Sequence, residues 1–375
     1  MKVHSAFVQF IGFLTCMLVL STCGGGGGGG TPPATPPFSQ ADLVGTWYVS
    51  LLQSSPTLSG SSEPGWIRGI ATVSSSGTIS LPTIETNLGT GAGPIGVVWT
   101  IDPWTGIISE SGASGNPDFH GKLAANKQLI VGTATNLNSS LSDTTVQLRI
   151  IQKIVSSATY TISDMANKTF MLHQIESGAG NAWMYAEGST GPVFSGTTTT
   201  GTLSTPITTP SGTAAGGEIG LLSLSPSGIM SLSTNPSFKG MVSADKTYMI
   251  ATENSATNSD VFRLTVVQFK DPLASYSLSD MAGAWRVHSI LGAGFWLYST
   301  ATLNTTGQGT ITDQHDSAIG ATAPYSTSLT ITLTGVVSEP ANSTSHGFLS
   351  PSKDLLVSTQ TITDIPSSFM AVIVK

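Results

Sequence analysis

The chain has few charged residues. They make up 9% of its 375 residues, against roughly 25% in an ordinary soluble protein. Long solvent-exposed helices carry charged outer faces, so this scarcity argues against a mainly helical protein. The formal net charge is −7, and lysine and arginine form no cluster, which argues against a nucleic-acid partner and against charge-driven attachment to an anionic membrane. Glycine, serine and threonine take the place of charges, and they favour short strands joined by tight turns.

Cysteine is nearly absent, since the chain contains only Cys16 and Cys23. Cys16 lies in the apolar segment that begins the chain, so a mature body starting at residue 23 would contain no other cysteine. Such a body can form no internal disulfide and no thiolate metal site. We therefore expect a fold held by its apolar cores alone, with no cofactor.

The first residues have the pattern of a secretion signal. Lys2 supplies a positive start, and residues 6–20 form a mostly apolar segment that is short for a transmembrane helix. The segment ends in Leu20-Ser21-Thr22-Cys23, which resembles the lipobox of bacterial lipoproteins. This resemblance implies removal of residues 1–22, acylation of Cys23 as a lipid anchor and a place in the bacterial cell envelope. The alternative is an ordinary signal peptide with an incidental cysteine.

Residues 23–37 have the composition of a tether. The glycines at 24–30 predict a flexible coil reaching roughly 15 Å, and the proline-rich remainder predicts a stiffer spacer of about 20 Å. Such a segment suits a folded body that is attached to a membrane through acyl chains on Cys23. By the same resemblance, Gly24 after the cysteine implies an outer-membrane lipoprotein, with its body facing the periplasm or the cell surface.

The rest of the chain repeats one pattern three times. The motif at 38–47 returns at 160–170 and at 276–285, and its aspartates are 122 and 116 residues apart. This internal triplication divides the body into modules at 38–157, 158–273 and 274–375. Further landmarks recur in the same order, namely Trp66, Trp183 and Trp296, then Lys127, Lys246 and Lys353, then Thr133, Thr252 and Thr359.

The first module contains about eight strand-like segments separated by turn signals. Eight antiparallel strands joined by short turns can close into an up-and-down barrel without exposed edges. We therefore predict an all-β fold of three tandem antiparallel meanders, each an eight-stranded barrel or alternatively a β-sandwich, arranged as a short rod. Residues 188–217 predict an enlarged irregular loop. The predicted strands of the first module are 45–52, 66–74, 77–84, 95–102, 105–111, 119–125, 128–135 and 145–154.

The start of the first predicted strand, Gly45-Thr-Trp47, resembles the Gly-x-Trp opening of lipocalins and avidin-type barrels, and Gly283-Ala-Trp285 matches it too. The second module has Phe170 at this position. In this family the aromatic residue plugs the barrel base and a basic residue stacks on it, a role that Arg149 or Arg263 could fill. The resemblance implies a calycin-type barrel and, as an alternative function, a carrier of a small apolar ligand.

The recurring Asp42, Asp164 and Asp280 are the first candidates for a catalytic or metal-binding role. Each precedes a short turn-like segment whose free amides a carboxylate can cap. One acid per module, without a repeated second acid, does not make the carboxylate pair of a glycosidase. We interpret these aspartates as structural positions of the repeat, together with Trp47, Phe170 and Trp285.

Two further features could bind something. Asp313, His315 and Asp316 form the one local cluster with metal-like donors, although a polar loop near a strand end explains them more simply, and we predict no metal site. Trp104 lies in a turn found only in the first module. An exposed tryptophan there would be a contact for a ligand, a glycan or a neighbouring protein, and the alternative is that it folds back over the barrel end.

The sequence contains no nucleophile elbow, phosphate-binding glycine loop or dinucleotide motif. Repeated modules suit multivalent contact or spacing better than catalysis, which needs one preorganised site. We therefore expect a non-enzymatic, membrane-anchored lipoprotein whose modules serve binding or structural contact in the cell envelope. Its partners would be an envelope protein, a glycan or a small apolar ligand.

Overall fold

The computed structural model describes residues 35–55, 64–137, 144–292, 294–318, 320–362 and 367–375. The predicted signal segment, the lipobox and Cys23 lie outside these residues. Pro36–Lys375 forms one compact unit. Its described part is almost entirely β-structure, with short helices at Gln40–Leu43 (α1), Ile162–Asp164 (a 3-10 turn) and Leu278–Met281 (α2). None of the described helices is long and apolar enough to cross a membrane.

The strands form three sheets in chain order. The first contains β1 (Gly45–Ser54), β2 (Gly65–Val73), β3 (Thr78–Ser80), β4 (Thr83–Thr86), β5 (Gly89–Ala92), β6 (Val97–Ile101), β7 (Ile107–Gly112), β8 (His120–Leu123), β9 (Leu129–Leu137) and β10 (Thr144–Ile154). The second contains β11 (Thr169–Gly178), β12 (Trp183–Phe194), β13 (Thr198–Leu203), β14 (Ile207–Thr209), β15 (Gly212–Ala214), β16 (Gly217–Leu224), β17 (Ile229–Leu232), β18 (Asn235–Val242), β19 (Tyr248–Asn254) and β20 (Val261–Phe269). The third contains β21 (Gly283–Leu291), β22 (Phe295–Leu303), β23 (Gln308–Asp316), β24 (Gly320–Ala321), β25 (Tyr325–Ser328), β26 (Thr330–Ile331), β27 (Val336–Glu339), β28 (Asn342–Leu349), β29 (Leu355–Ile362) and β30 (Ser367–Val374).

The first two sheets close into eight-stranded antiparallel barrels. In barrel 1 the order is β1-β10-β9-β8-β7-β6-β3-β2, and β2 pairs back with β1. Barrel 2 closes in the same way through β11 and β12. The third sheet, barrel 3, runs from β23 round to β26, and the single residue Leu329 joins β26 to β25, which pairs with β23. Closure confirms the predicted barrels of the first two modules and rules out the sandwich alternative for them.

The eight strands predicted for the first module are all present, with one difference. The segment predicted at 77–84 is divided between β3 and β4, and β4 forms a hairpin with β5 that is attached to β2 outside the ring. Barrel 2 has a matching hairpin, β14–β15, attached to β12. The expectation of an irregular loop at 188–217 was therefore wrong, because these residues form β13, β14, β15 and the end of β12.

One end of each barrel, which we call the plug end, is where the first strand begins and the last strand ends. A short helix precedes the first strand there, and its aspartate accepts a 2.8 Å hydrogen bond from the backbone N–H of the capping residue, Ser39, Thr161 or Ser277. The same carboxylates pair with lysines that recur in the sequence. The pairs are Asp42 with Lys127 at 3.0 Å, Asp164 with Lys246 at 2.7 Å and Asp280 with Lys353 at 2.9 Å.

These three aspartates are stabilised as carboxylates. Burial alone would raise the pKa of each carboxyl, but the hydrogen bonds from the lysine and from the capping residue outweigh burial, so that all three pKa values are lowered. The recurring aspartate therefore stabilises the short helix and links it to the turn that contains the lysine.

The aromatic residue of the repeat closes each plug end from inside. The Trp47 indole N–H donates to the Leu43 carbonyl at 2.7 Å, and the Trp285 indole N–H donates to the Met281 carbonyl at 2.6 Å. The basic groups over these rings are the lysines that end the last strands, with Lys153 Nζ 5.1 Å from the Trp47 ring centre and Lys375 Nζ 4.7 Å from that of Trp285.

The arginines suggested for this stacking role lie elsewhere. Arg149 pairs with Glu110 at 2.7 Å, and Arg263 pairs with Glu176 at 2.8 Å. That expectation was wrong because Arg149 and Arg263 belong to the middle or the beginning of their strands, whereas the plug lies where the last strand ends. Lys153 and Lys375, at the ends of the last strands, are the basic residues at the level of the plug.

The three barrels pack side by side around a shared apolar core and do not form the expected rod. This core contains completely buried side chains from every barrel, among them Leu148, Leu264 and Val372. Strands β1 and β2 pack on β19 and β20, strands β11 and β12 on β29 and β30, and strands β21 and β22 on β9 and β10. The first two strands of each barrel therefore pack against the last two strands of the next barrel.

The recurring Trp66, Trp183 and Trp296 mark these junctions. Each is buried between barrels and donates its indole N–H to the neighbouring barrel. The acceptors are Asn254 Oδ1 at 2.5 Å, Thr361 Oγ1 at 2.8 Å and Thr135 Oγ1 at 2.6 Å, respectively.

All three plug ends face the same way. Near the plug ends, Gln152 Nε2 donates to the Met241 carbonyl and Gln268 Nε2 to the Leu355 carbonyl, and the backbone N–H of Ala125 donates to the carbonyl of Lys375. The tryptophan contacts join the opposite ends, because β2, β12 and β22 begin there and β9, β19 and β29 end there. The molecule thus has a plug face and, on the other side, an open face.

Candidate functional site

Barrel 1 encloses a cavity of about 210 Å³ near the open face. Its mouth is marked by Pro94 and Ser114, which are exposed, and Val49 and Trp99 lie deeper. The wall is mostly apolar and consists of Val49, Leu51, Ile67, Ala71, Ile79, Leu81, Ile84, Pro94, Val97, Trp99 and Ile151, with Glu110, Ser114, Asn116, Gln147 and Arg149 as its polar members.

The alternation of side chains along each strand determines the composition of this wall. On β1, Val49 and Leu51 line the cavity, whereas Leu52 belongs to the shared core between barrels. On β10, Gln147, Arg149 and Ile151 point inward, whereas Val146, Leu148 and Ile150 lie in the shared core. The more apolar face of β10 therefore points out of its own barrel.

The polar members form a connected group on one side of the cavity. Glu110 is buried, and its carboxylate accepts hydrogen bonds from Arg149 Nη1 at 2.7 Å, from the Trp99 indole at 2.9 Å and from the Asn116 backbone at 3.1 Å. Arg149 also donates to Gln147 Oε1 at 3.0 Å. Buried charges are tolerated when they are paired and hydrogen-bonded in this way. The group gives an apolar pocket one side with hydrogen-bonding capacity.

Barrel 2 is much more completely filled. Its interior space measures about 50 Å³ and has an apolar lining that includes Phe170, Phe238, Phe269, Met230 and Met249. Aromatic rings supply bulk, and unbranched methionines adapt to the gaps between them. The two barrels share a fold but differ in the space that their inward side chains leave.

Barrel 2 has its own buried polar group around Glu253. The carboxylate accepts hydrogen bonds from Asn235 Nδ2 at 2.7 Å and from Gln174 Nε2 at 3.3 Å, and Arg263 lies 3.9 Å away. Burial raises the pKa of Glu253, and Arg263 only partly opposes this effect. These contacts hold the carboxylate in place, and Glu253 does not line the small cavity of barrel 2.

The predicted metal-like cluster does not assemble. Asp313, His315 and Asp316 lie at the end of β23, where the His315 ring stacks on Tyr298 at 4.9 Å and Asp316 Oδ1 accepts a hydrogen bond from the Ala318 backbone at 2.7 Å. Across the described ranges, no group of three or more His, Cys, Asp and Glu residues could hold a metal ion.

Trp104 is 56% exposed in the turn between β6 and β7, at the plug end of barrel 1. It does not fold back over the barrel, which was the alternative left open by the sequence. Asp102 fixes this turn, since its Oδ1 accepts hydrogen bonds from the backbones of Trp104 at 3.0 Å and Thr105 at 2.7 Å. The side chain is thus held out from the body on an ordered turn.

Sequence reasoning missed the polar members of the cavity. Glu110, Asn116 and Gln147 were not singled out, and Arg149 was considered only for stacking at the plug. The available signal was the pair Gln147 and Arg149 at alternate positions of one strand, which places both on one face. Glu110 completes the group only because β7 reaches the same height inside the closed barrel.

No protein-family model and no curated protein matches the chain. Among solved structures, it is similar to a protein of unknown function of the DUF3598 family from Nostoc punctiforme, with 10% identity, 56% of this chain and 95% of that chain covered, and a TM-score of 0.20. It is also similar to transferrin binding protein B from Neisseria meningitidis, with 8% identity, coverage of 83% and 63%, and a TM-score of 0.26. For transferrin binding protein B from Haemophilus parasuis the identity is 8%, the coverage 88% and 74%, and the TM-score 0.21. Likenesses at these TM-scores support no particular function for this chain.

Proposed function

We propose that this chain is a non-catalytic binding protein of a bacterial cell envelope, and that barrel 1 holds a small, mainly apolar ligand. The cavity of about 210 Å³ in barrel 1 carries this proposal. Protein interiors are normally packed as densely as organic crystals, and the cavity of barrel 2 measures only about 50 Å³. Among the described residues, the cavity of barrel 1 is about four times as large as that of barrel 2, a difference that ligand binding in barrel 1 would explain.

The size and chemistry of the cavity define the ligand class. An engineered apolar cavity of about 150 Å³ accommodates benzene, whereas sites for drug-sized molecules begin near 300 Å³. A ligand of about eight to ten non-hydrogen atoms therefore fits barrel 1. Its apolar part would lie against Val49, Ile79 and Val97, and one polar group would meet the Gln147 and Asn116 side.

The test uses indole as the probe, because it has nine non-hydrogen atoms and one N–H donor. Val49→Phe fills the cavity of barrel 1. Val287→Phe is the matched control, because Val287 lies two residues after Trp285 just as Val49 lies two residues after Trp47, and it is partly buried against the core of barrel 3. Indole binding stabilises the folded state by mass action. We expect indole to raise the Tm of the unsubstituted protein and of Val287→Phe, but not that of Val49→Phe.

An equal rise in all three proteins would place indole elsewhere and overturn the assignment to barrel 1. No rise in the unsubstituted protein with indole, benzene or hexanoate would show that the cavity does not bind this class. Native mass spectrometry of protein purified from the envelope fraction adds an independent readout, since a retained small molecule should be absent from Val49→Phe.

The envelope location is supported by the sequence of residues 1–37. The apolar start, the lipobox-like Leu20-Ser21-Thr22-Cys23 and the tether composition together favour a lipid anchor at Cys23. Replacing Cys23 with Ala should move the protein from the detergent phase to the aqueous phase in phase partitioning. Unchanged partitioning would overturn the anchor, whatever the outcome for barrel 1.

The arrangement of polar groups inside the barrels supports a non-catalytic role. In barrel 1 Glu110 and Arg149 form an ion pair, and in barrel 2 Arg263 pairs with Glu176 while amide side chains hold Glu253. Catalytic groups are typically aimed at a substrate position with matched pKa values, whereas these groups are directed at each other. In this function they act as positioning and recognition groups.

A further inference from the structure

We infer that the plug face lies against a lipid bilayer and inserts exposed apolar side chains from all three barrels into the membrane interface. This inference rests on the proposed lipid anchor. It adds an orientation, in which the plug face meets the membrane and the mouth of the barrel 1 cavity points away from it.

The distribution of exposed apolar side chains is the first observation. Ten large apolar side chains are exposed in the part of the chain that the structure describes. Six of them lie at plug ends, although the plug ends are only the turns and linkers of one side. These six are Val44 at 36% exposure, Trp104 at 56%, Val193 at 39%, Phe194 at 60%, Leu273 at 91% and Leu333 at 75%.

The exposed apolar side chains of the plug face come from every barrel. Trp104 and Leu333 occupy the same turn of barrels 1 and 3, between the strand pairs β6–β7 and β26–β27. In barrel 2 Pro226 stands in this turn at the position of Leu333, but the neighbouring hairpin between β12 and β13 bears Phe194 at its tip. Leu273 lies in the linker between barrels 2 and 3. All three barrels thus have exposed apolar side chains on the plug face, although these side chains lie in different turns and linkers.

The course of the chain is the second observation. The described chain enters barrel 1 at the plug face, where the backbone N–H of Phe38 donates to the Pro103 carbonyl at 3.1 Å. Pro103 immediately precedes Trp104, so the predicted tether joins the body beside the exposed tryptophan. With a tether reach of roughly 35 Å, a body anchored at Cys23 can lie directly on the bilayer, and the described chain leaves the body from the plug face.

The charges of the plug face favour a lipid surface that is recognised by apolar contact. Lys127, Lys246 and Lys353 are each paired with an aspartate of the same barrel. Lys122, Lys153 and Lys375 donate to backbone carbonyls on the same face and each lies near an aspartate, so these lysines form no uncompensated basic patch that would attract anionic lipid. Tryptophan, phenylalanine and leucine are the side chains that enter the interfacial region of a bilayer. The contact should therefore persist in zwitterionic phosphatidylcholine and depend little on salt.

The test measures which face touches lipid in the anchored protein. Single cysteines are introduced by Phe194→Cys and Leu333→Cys on the plug face, and by Leu88→Cys and Ile95→Cys on the open face as controls. The controls are similarly exposed apolar residues, at 80% each. Each cysteine carries an environment-sensitive fluorophore, and the full lipidated protein is reconstituted into phosphatidylcholine vesicles that contain a nitroxide-labelled lipid.

We expect blue-shifted emission and strong nitroxide quenching at residues 194 and 333, and neither effect at residues 88 and 95. Quenching should be the same at low and at high salt. Water-exposed spectra at all four positions in a protein that still partitions into detergent would overturn the orientation and leave the anchor standing. Quenching at residues 88 and 95 would show the opposite orientation. Detergent partitioning that Cys23→Ala does not change would instead overturn the anchor, and this inference with it.

Discussion

Acid should destabilise the junction between barrels 2 and 3 through His173. This ring is completely buried, and Nδ1 lies 3.3 Å from Thr359 Oγ1 on barrel 3. Its neighbours include Tyr185 at 5.1 Å, which stacks in turn on His346 at 4.9 Å. Burial, with a smaller contribution from His346, lowers the pKa of His173 from 6.5 to about 3. The folded protein therefore holds this histidine neutral.

The sign and size of the effect follow from linkage. At a pH above 6.5 the ring is neutral in both states and contributes no pH dependence. Between 6.5 and about 3 the unfolded chain binds a proton that the folded chain does not, so the free energy of unfolding decreases by about 1.4 kcal/mol per pH unit. At pH 4.5 the free energy of unfolding should be lower than at neutral pH by on the order of 2–3 kcal/mol because of this single histidine.

The assay is urea unfolding of the unsubstituted protein and of His173→Leu at pH 7.5 and at pH 4.5. Carboxylates titrate in both proteins, so the difference between the two pH dependences isolates His173. We expect the unsubstituted protein to lose on the order of 2–3 kcal/mol more than the variant over this interval. Equal losses, or an NMR titration in which the folded His173 ring protonates near pH 6.5, would refute this explanation.

Two further predictions concern packing. Trp183→Phe removes the indole donor to Thr361, so it should lower the free energy of unfolding by about 1–3 kcal/mol. A double-mutant cycle with Thr361→Val should give a coupling energy near 1 kcal/mol, and additive effects would mean that the contact contributes nothing. Gly77→Ala should cost several times more in urea unfolding than Gly196→Ala. Both glycines have a positive φ, at 82° and 74°, but a Cβ at Gly77 would lie 2.1 Å from the Trp99 carbonyl oxygen, whereas a Cβ at Gly196 would meet open space. Similar losses of stability in the two variants would contradict this steric explanation.

The local features of the fold could be predicted because neighbouring residues create them. Each capping aspartate lies three residues after its cap partner, and each turn lysine, which has a positive φ, lies two residues before the next-to-last strand of its barrel. Strand alternation and turn chemistry located the eight strands of the first module. A barrel also follows from the local pattern, because a meander with many short strands and few charges removes its edges by closing.

The site could not be predicted in the same way, because strands buried on both faces do not reveal which face is inward. On β10 the apolar face with Val146 and Leu148 would normally be assigned to the barrel interior. The structure places it against the other barrels and leaves Gln147 and Arg149 inside. A one-residue change of register exchanges the two faces, and only packing against a neighbour determines which arrangement is stable.

The sequence by itself determined the number of modules, their β-character, the capped and plugged end of each barrel, and the anchor hypothesis at Cys23. Each of these depends on contacts within a few residues or on a repeated motif. Only the tertiary structure decided that the barrels share a core, that their plug ends form one face and that barrel 1 retains a cavity. These features depend on volumes and contacts between residues more than 100 positions apart, such as Trp183 and Thr361, and side-chain periodicity carries no information about them.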